Sequence, residues 1–274
     1  MSLPHTTIKP RSGWQKIDLE ELLHYQDLFF FIVWRDVKVR YAQSILGVGW
    51  ALIQPIFSMI IFTIIFGNLA KIPSDGIPYA IFSYVALVPW TYFSNAMVDS
   101  SNSLSVNSEM LTKIYFPRMI LPLAATLSKL IDFIIAMSLV VVLMIWYRVV
   151  PTWHIFMLPY FLLLLIITAG GLGMWLTALS IQYRDIRYGL NFFVQLIMYG
   201  SPIVYPLSII PEKFRLLYAL NPLSSIIEGF RSALLGKTAM PWDVIAVGSI
   251  SAIILFITGA FYFRRMERVF ADVA

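Results

Sequence analysis

The chain has 274 residues, of which 59% are hydrophobic and 13% are charged, and its mean hydropathy is +0.78. Soluble domains carry about 25% charged residues, so this composition excludes a water-soluble globule and indicates an integral membrane protein. The lack of cysteine excludes disulfides, thiolate nucleophiles and zinc–thiolate centres. His5, His24 and His154 are far apart in the sequence, so we predict no metal site.

The N-terminal region carries charges around a short apolar run, Leu28–Trp34. This run is too short to span a bilayer, which requires about 20 residues. Asp18 followed by Glu21 resembles the acidic start of a helix. We therefore predict amphipathic helices over about 18–40 that lie at the membrane surface.

Six later apolar runs are long enough to cross a hydrocarbon layer about 30 Å thick as helices. No strand-length alternation recurs, so the predicted fold class is an all-α membrane protein. We divide the chain into a cytoplasmic N-terminal segment, 1–40, and a single transmembrane domain, 41–274. The six predicted spans are 51–70, 78–98, 119–147, 155–180, 189–207 and 244–263.

The distribution of basic residues predicts the orientation. An even number of spans places both termini on one side of the membrane, and fourteen of the twenty Lys and Arg residues fall on that side. Basic residues accumulate on the cytoplasmic side, so both termini are expected to be cytoplasmic. The net charge of +5 is thus explained by orientation and phospholipid contact, and no nucleic-acid partner is expected.

The segment Ser208–Asp243, between the fifth and sixth predicted spans, is largely apolar and contains several prolines. Its run Leu216–Ile227 has no charge, is only twelve residues long and is interrupted by Asn221-Pro222. This pattern favours re-entrant half-helices around a cavity on the outer side. The alternative is a hydrophobic loop on the outer leaflet.

Two short connections, 109–118 and 182–188, mix charges with Tyr and Phe. Such a mixture is typical of a surface that docks a protein partner. The alternative is an aromatic belt combined with positive charge on the inner side. Inside the third predicted span, Lys129 and Asp132 are three residues apart, so we predict that they pair locally.

Polar and aromatic residues recur at helical spacing within three predicted spans. Flat aromatic rings stack on sugars, and amide and hydroxyl groups supply hydrogen bonds, so these stripes are candidates for lining a sugar conduit. Ordinary helix packing is the alternative explanation. The candidate lining residues are Gln54, Ser58, Phe62, Phe82, Trp90, Phe93, Phe192, Gln195 and Tyr199.

Sequence motifs for ATP hydrolysis and hydrolytic catalysis are missing. The chain has no G-x-x-x-x-G-K-[ST], no G-x-S-x-G and no H-E-x-x-H. An interfacial transferase of glycan synthesis, the enzymatic alternative, would require catalytic acids in its loops, and we find no suitable pair. A transport subunit with a separate energy source fits better.

The order of short motifs resembles the ABC-2 type permease subunit of bacterial polysaccharide exporters, in particular the O-antigen and teichoic acid branch. Ala42 departs from the basic residue expected after Tyr41. The matching motifs are Arg35–Tyr41, Leu46-Gly47, Trp50, Phe66-Gly67, Pro78-Tyr79, Tyr115–Arg118, Leu121-Pro122, Tyr183–Asp185, Ser201-Pro202, Tyr205-Pro206 and Asn221-Pro222.

The resemblance implies a homodimer that pairs with two copies of a cytoplasmic ATPase. ATP and Mg would be bound by that partner, and this chain would hold no cofactor. The implied cargo is a polysaccharide on an undecaprenyl-diphosphate lipid, O-antigen foremost, moved outward across the inner membrane. Teichoic acid or a small hydrophobic cargo, such as a drug or haem, are the alternatives.

The resemblance also implies roles for particular residues. The two charged connections would contact the ATPase through Lys113, Tyr115, Phe116, Arg118, Tyr183, Arg184, Asp185 and Arg187. The re-entrant helices would form an outer gate that includes Pro202, Tyr205, Pro206, Asn221 and Pro222. Arg35, Lys38 and Arg40 would attract the lipid diphosphate by charge, or alternatively anchor the helix by the positive-inside rule.

Overall fold

The structure is a computed structural model that describes residues 19–42 and 47–267. Regular secondary structure in these ranges is entirely helical, which confirms the all-α prediction. Short 3₁₀ turns lie at Gly47–Gly49, Trp153–Met157 and Leu207–Ile209, and a π-helix at Thr63–Leu69 continues α3. The helices are α1 (Leu19–His24), α2 (Gln26–Ala42), α3 (Trp50–Phe62), α4 (Tyr79–Val106), α5 (Ser108–Lys113), α6 (Ile120–Ser128), α7 (Leu130–Tyr147), α8 (Leu158–Gln182), α9 (Arg184–Tyr199), α10 (Glu212–Tyr218), α11 (Pro222–Leu235) and α12 (Trp242–Met266).

Four helical segments of the described chain are long and apolar enough to cross a membrane: Gly47–Leu69, Ile120–Trp146, Trp153–Gln182 and Trp242–Met266. They correspond to the first, third, fourth and sixth predicted spans. The second predicted span is helical as α4, which carries many polar residues in its second half. The fifth is helical as α9, whose 16 residues extend for only about 24 Å. A count of six spans therefore stays a prediction.

The centre of the bundle is α4, which packs against α3, α6, α7, α8 and α11. Its Tyr84 and Tyr92 are fully buried, and their hydroxyls donate hydrogen bonds to the carbonyl oxygens of Ala136 and Thr126, at 3.2 and 3.1 Å. Buried hydroxyls need such partners because desolvation without them is costly. Enclosure by other helices explains how α4 accommodates polar residues that a lipid-facing helix would exclude.

Small residues allow α8 and α12 to approach closely. A Cβ atom placed on Gly171 would lie 2.7 Å from the Cα of Phe256, closer than real Cβ atoms come. On the facing helix, Gly259 lies against the carbonyl group of Gly171. Small residues are the usual means by which helices pack in membranes, where the hydrophobic effect does not drive them together.

Helix α2 lies against α6 and has apolar residues on both of its faces. Ile32 and Val37 are buried, whereas Phe30, Phe31 and Trp34 are each more than 60% exposed. The helix is present where the sequence predicts it, but a simple amphipathic pattern with one polar face is wrong. One face packs on the bundle and the aromatic face is exposed, so the position of this helix at the membrane surface stays a prediction.

The segment between α9 and α12 folds into two helices separated at Asn221-Pro222, the predicted break. The Asn221 side-chain oxygen accepts a hydrogen bond from the Leu223 amide at 3.1 Å, and Pro222 begins α11, a favourable start for a helix. Gly236, with a φ of 66°, ends it in the left-handed conformation that favours glycine. Helix α11 is buried from Leu223 onward, and its depth in the membrane stays a prediction.

Candidate functional site

Two cavities with mixed polar and apolar linings lie beside α2, and Arg40 lines both of them. The larger cavity, about 550 Å³, lies between α2, α4 and α6. The smaller cavity, about 330 Å³, lies between α2, α3, α4 and α7. The larger is lined by Arg35, Asp36, Val39, Arg40, Asp99, Asn102, Ser103, Val106, Asn107, Ala125 and Ser128. The smaller is lined by Arg40, Tyr41, Gly47, Trp50, Ala51, Gln54, Val88, Thr91, Tyr92, Asn95, Lys129, Asp132, Phe133 and Ala136.

An ionic network joins the walls of the two cavities. Arg40 Nη1 lies 2.8 Å from Asp132 Oδ2, and Arg40 Nη2 lies 3.9 Å from Asp99 Oδ2. The Lys129 ammonium forms an ion pair with Asp99, and the Tyr41 hydroxyl donates a hydrogen bond to Asp132. These contacts fix the end of α2 on α4 and α7.

The predicted local pair of Lys129 with Asp132 is therefore wrong. Lys129 lies at the junction where α6 ends at Ser128 and α7 begins at Leu130. Each side chain instead has a partner on another helix, Lys129 on α4 and Asp132 on α2. Sequence spacing alone does not reveal the interruption.

Two of the three basic residues predicted on α2 contribute to the larger cavity. Arg35 Nη2 lies 2.7 Å from Asp36 Oδ1 and donates a hydrogen bond to Asn107 Oδ1 at 2.8 Å. Ser103, 4% exposed, lines the same cavity, and its Oγ has no hydrogen-bond partner in the structure. Lys38 is exposed and lines neither cavity. Sequence reasoning missed Asn102, Ser103 and Asn107, which α4 brings to the cavity.

The larger cavity is suited to binding an oxyanion that replaces the carboxylates now paired with its arginines. Guanidinium groups bind phosphate and carboxylate oxygens in bidentate geometry, and Arg35 and Arg40 share one cavity. Carboxylates are now their counter-ions: Asp36 pairs with Arg35, whereas Arg40 pairs with Asp132 at 2.8 Å and more distantly with Asp99 at 3.9 Å. An incoming anion would have to replace these carboxylates, which makes binding selective for a group with comparable or higher charge density.

The nine predicted lining residues divide into two groups. Phe82, Trp90 and Phe93 are 1%, 6% and 0% exposed and form part of the core around α4, so a surface role for them is contradicted. Their common helical face is enclosed by neighbouring helices. The other six are exposed or half-buried, three on α3 and three on α9: Gln54, Ser58, Phe62, Phe192, Gln195 and Tyr199.

The two charged connections lie at the end of the bundle that also carries α1 and the end of α12. The Tyr115 hydroxyl donates a hydrogen bond to Glu21 Oε1 at 2.9 Å, and Arg118 Nη1 donates to the Glu267 carbonyl at 2.9 Å. Arg264 forms ion pairs with Glu21, at 3.5 Å, and with Glu267, at 2.6 Å. The two ends of the described chain are therefore on the same side of the bundle.

The predicted contact residues in these connections have different environments. Lys113, Tyr115, Tyr183, Asp185 and Arg187 are exposed, and Arg118 is half-buried. Phe116 is 4% exposed and belongs to the core cluster around α6, so direct contact with a partner is contradicted for this residue. Arg184 begins α9, and its side chain lies outside the described residues.

The predicted gate residues come together at the opposite end. Asn221 Nδ2 donates hydrogen bonds to the Gly200 carbonyl and to Ser201 Oγ, at 3.1 and 2.9 Å. The Tyr205 hydroxyl lies 2.9 Å from that of Tyr218. Pro202 and Pro206 are buried in the turn that follows α9, and Pro222 begins α11.

A buried ion pair that the sequence did not identify holds this turn. Arg231 Nη1 lies 2.9 Å from Glu228 Oε1, and both side chains are at most 5% exposed. Arg231 also donates to the carbonyl oxygens of Ile203, at 2.8 Å, and Tyr205, at 3.3 Å, and its guanidinium lies 3.7 Å from the centre of the Phe82 ring. Glu228 accepts a hydrogen bond from the Leu207 amide at 3.2 Å. The sequence does carry a signal for this pair, because Glu228 and Arg231 are an acidic and a basic residue three positions apart in an apolar segment.

A family model for the ABC-2 type transporter matches residues 27–235, well over half of the chain. The chain belongs to the ABC-2 type transporter family. This matches the resemblance drawn from the short motifs. The matched region includes α2, both cavities, both charged connections and α11.

The ABC-2 chain is also similar to permeases of known systems. It is 27% identical over 253 residues to the O-antigen export system permease protein RfbA of Myxococcus xanthus, covering 91% of this chain and 96% of the relative. It is 28% identical over 249 residues to the protein of the same name in Klebsiella pneumoniae, covering 90% and 95%. The polysialic acid transport protein KpsM of Escherichia coli is 24% identical over 274 residues, covering 94% and 97%.

Family membership confirms the prediction of a transport subunit rather than an enzyme. The ABC-2 chain is a multi-pass membrane protein, and its family implies an ATPase partner in the assembled transporter. A group of three or more metal-ligating side chains does not occur among the described residues.

Proposed function

We propose that this chain is the permease subunit of an ATP-driven exporter that moves undecaprenyl-diphosphate-linked polysaccharide, O-antigen foremost, from the cytoplasm across the bacterial inner membrane. The observation that carries the proposal is the larger cavity, where Arg35 and Arg40 present guanidinium groups beside exposed apolar residues. The similarity to O-antigen permeases over most of the chain supports this choice of cargo over a small hydrophobic molecule.

The larger cavity fits the diphosphate of such a lipid. Phosphate oxygens would replace Asp36 on Arg35 and would compete with Asp132 and Asp99 for Arg40, and Asn102 and Ser103 add uncharged polar groups. Val39 and Val106, 68% and 78% exposed, lie at its rim, where they provide apolar contact for a lipid chain. Lys38 lies outside both cavities, so any attraction of anionic headgroups by its charge would contribute little to export.

A homodimer would place the exposed faces of α3 and α9 from two copies around a conduit. Phe192 and Tyr199 are 62% and 59% exposed on one face of α9, and Gln195 lies between them. Gln54, Ser58 and Phe62 form the corresponding stripe on α3. Alternating aromatic and polar groups suit a sugar polymer, which presents both C–H faces and hydroxyl groups.

Two copies of a cytoplasmic ATPase, which bind ATP and Mg, would dock at the end that carries α1, α5 and the start of α9. The exposed Tyr183, Asp185 and Arg187 are the proposed contacts, together with Lys113 and Tyr115. Closure of the ATPase pair would shift the helices as rigid bodies, and the turn held by Arg231 would respond at the other end. The side that carries both ends of the described chain is the proposed cytoplasmic side, as the distribution of Lys and Arg predicts.

Deletion of the protein tests the function directly. The lipid-linked polymer is expected to accumulate inside the cell, and surface polymer is expected to be lost and then restored by the wild-type chain. Normal surface polymer in the deletion strain would refute the proposal.

A matched pair of variants tests the cavity. Arg35→Gln is expected to reduce surface polymer about tenfold or more, whereas Lys38→Gln, three residues away on the same helix, is expected to stay within twofold of wild type. Equal losses in the two variants would instead support simple anchoring of α2 by positive charge.

A further inference from the structure

The smaller cavity has a composition distinct from that of the larger one. It combines an aromatic ring, Trp50, with the side-chain amides of Gln54 and Asn95, and it shares Arg40 with the larger cavity. We propose that the smaller cavity binds the first sugar attached to the diphosphate, so that the permease recognises the glycosyl diphosphate and not the diphosphate alone. This inference rests on the proposed function, because the larger cavity must hold the diphosphate.

The amide groups provide the first argument. The side-chain amides of Gln54 and Asn95 line the cavity, and since Gln54 is exposed and Asn95 half-buried, a ligand can reach both. An amide can donate and accept at once, which suits a sugar hydroxyl that does the same. The smaller cavity therefore offers two polar side chains with which a sugar could form hydrogen bonds.

The aromatic side provides the second argument. Trp50 is 55% exposed, so a ring of a ligand can reach its indole face from outside. Phe133 contributes a buried aromatic wall on α7. Small-molecule sites typically combine such apolar surface with a few placed polar groups, and the volume of about 330 Å³ is at the low end of their range of about 300–1,000 Å³.

The order of groups along the protein provides the third argument. The exposed apolar Val39 and Val106 border the larger cavity, the guanidinium of Arg40 lies in the wall between the cavities, and Trp50 and Gln54 line the smaller one. This order matches lipid chain, diphosphate and sugar in a lipid-linked saccharide. The cations Arg40 and Lys129 in the wall of the smaller cavity are paired with Asp132 and Asp99, so the phosphate-linked end of the sugar would lie beside this ionic network.

Binding to the purified full-length chain in lipid nanodiscs tests the proposal with two probes. The probes are farnesyl diphosphate and the same lipid diphosphate carrying one N-acetylglucosamine. We expect the sugar to raise the affinity of the wild-type chain about tenfold. Gln54→Ala and Asn95→Ala should each remove several-fold of this gain, and both should leave the affinity for farnesyl diphosphate within twofold.

Asn191→Ala, the same kind of substitution at an exposed amide on α9 with no proposed role, is the control and should keep the full gain. Trp50→Ala is a second variant of the cavity lining. Thermal unfolding of every variant checks that the protein is folded. Equal wild-type affinities for the two probes would overturn the sugar subsite and leave the diphosphate proposal standing. Lack of binding by either probe would overturn the headgroup role of the larger cavity, and the sugar subsite with it.

Discussion

Arg40 Nη1 lies 2.8 Å from Asp132 Oδ2, and this ion pair joins α2 to α7 across 92 positions of the chain. The side chains are 23% and 21% exposed, so solvent screens the pair only in part. It is one of several contacts that hold the N-terminal helix on the bundle, and it places Arg40 in the wall between the two cavities.

Asp132→Ala should lower the free energy of unfolding by about 1.5–3 kcal/mol, the usual contribution of hydrogen bonds to charged groups. The reason is that Arg40 and Tyr41 both lose an acceptor. Thermal unfolding in detergent measures the loss, and Asp185→Ala, at an exposed position, is the control. The double variant with Arg40→Ala should lose less than the sum of the single losses. Additive losses would show that the two side chains do not interact.

A second prediction concerns the turn after α9. Arg231→Met should destabilise the protein by about 3–5 kcal/mol, because it leaves Glu228 buried without its partner. Adding Glu228→Gln to that variant should restore part of the stability, since the uncompensated charge is removed. Thermal unfolding and protease sensitivity of residues 201–207 are the measurements. If the double variant is less stable than Arg231→Met, the pair is not the source of the effect.

The helices themselves were largely predictable from sequence, because apolar length and proline positions determine where a membrane helix runs. The break at Asn221-Pro222 is an example, since proline lacks the amide hydrogen that continued helix would require. The two cavities were not predictable. Arg40 meets Asp132 and Arg35 meets Asn107 only because distant helices pack together, and spacing along the sequence carries no information on such pairs.

Which helix faces are buried and which are exposed could not be predicted from the sequence either. Phe82, Trp90 and Phe93 do share one face of α4, as the spacing indicates. Because neighbouring helices cover that face of α4, it packs in the core of a single chain instead of lining a surface. The same reasoning applied to α9, which has few neighbours, identified residues that are exposed.

This difference between the helices gives a third prediction. Trp90→Ala should lower the free energy of unfolding by about 3–5 kcal/mol, because removal of a large buried ring leaves a cavity. Phe192→Ala, at a 62% exposed ring, should change stability by less than about 0.5 kcal/mol. Thermal unfolding compares the two variants. An unchanged stability of Trp90→Ala would place the indole outside the core.

The fourth prediction concerns the two charged connections and distinguishes residues that contact the ATPase from residues that stabilise the fold. Arg187→Ala should reduce export about tenfold, equivalent to 1.4 kcal/mol at the ATPase interface, without loss of stability. Lys213→Ala, an exposed cation at the opposite end, is the matched control. Phe116→Ala should instead lower stability by about 3–5 kcal/mol, because its ring is 4% exposed. Polymer export in cells and thermal unfolding of purified protein are measured together. Equal export by the Arg187 and Lys213 variants would contradict the proposed docking surface.

The last prediction concerns the contact of α8 with α12. Gly171→Ala should cost about 1–3 kcal/mol of stability, because the new methyl group would meet backbone atoms of Phe256 that cannot rotate away. Gly170→Ala is the matched control one position earlier. Its methyl group would lie 3.6 Å from the side chains of Leu123 and Phe256, an ordinary contact, and alanine favours the helix. The control should therefore be neutral or slightly stabilising in a thermal unfolding assay. If both variants unfold at the same temperature, α8 and α12 are not held as closely as the glycine positions indicate.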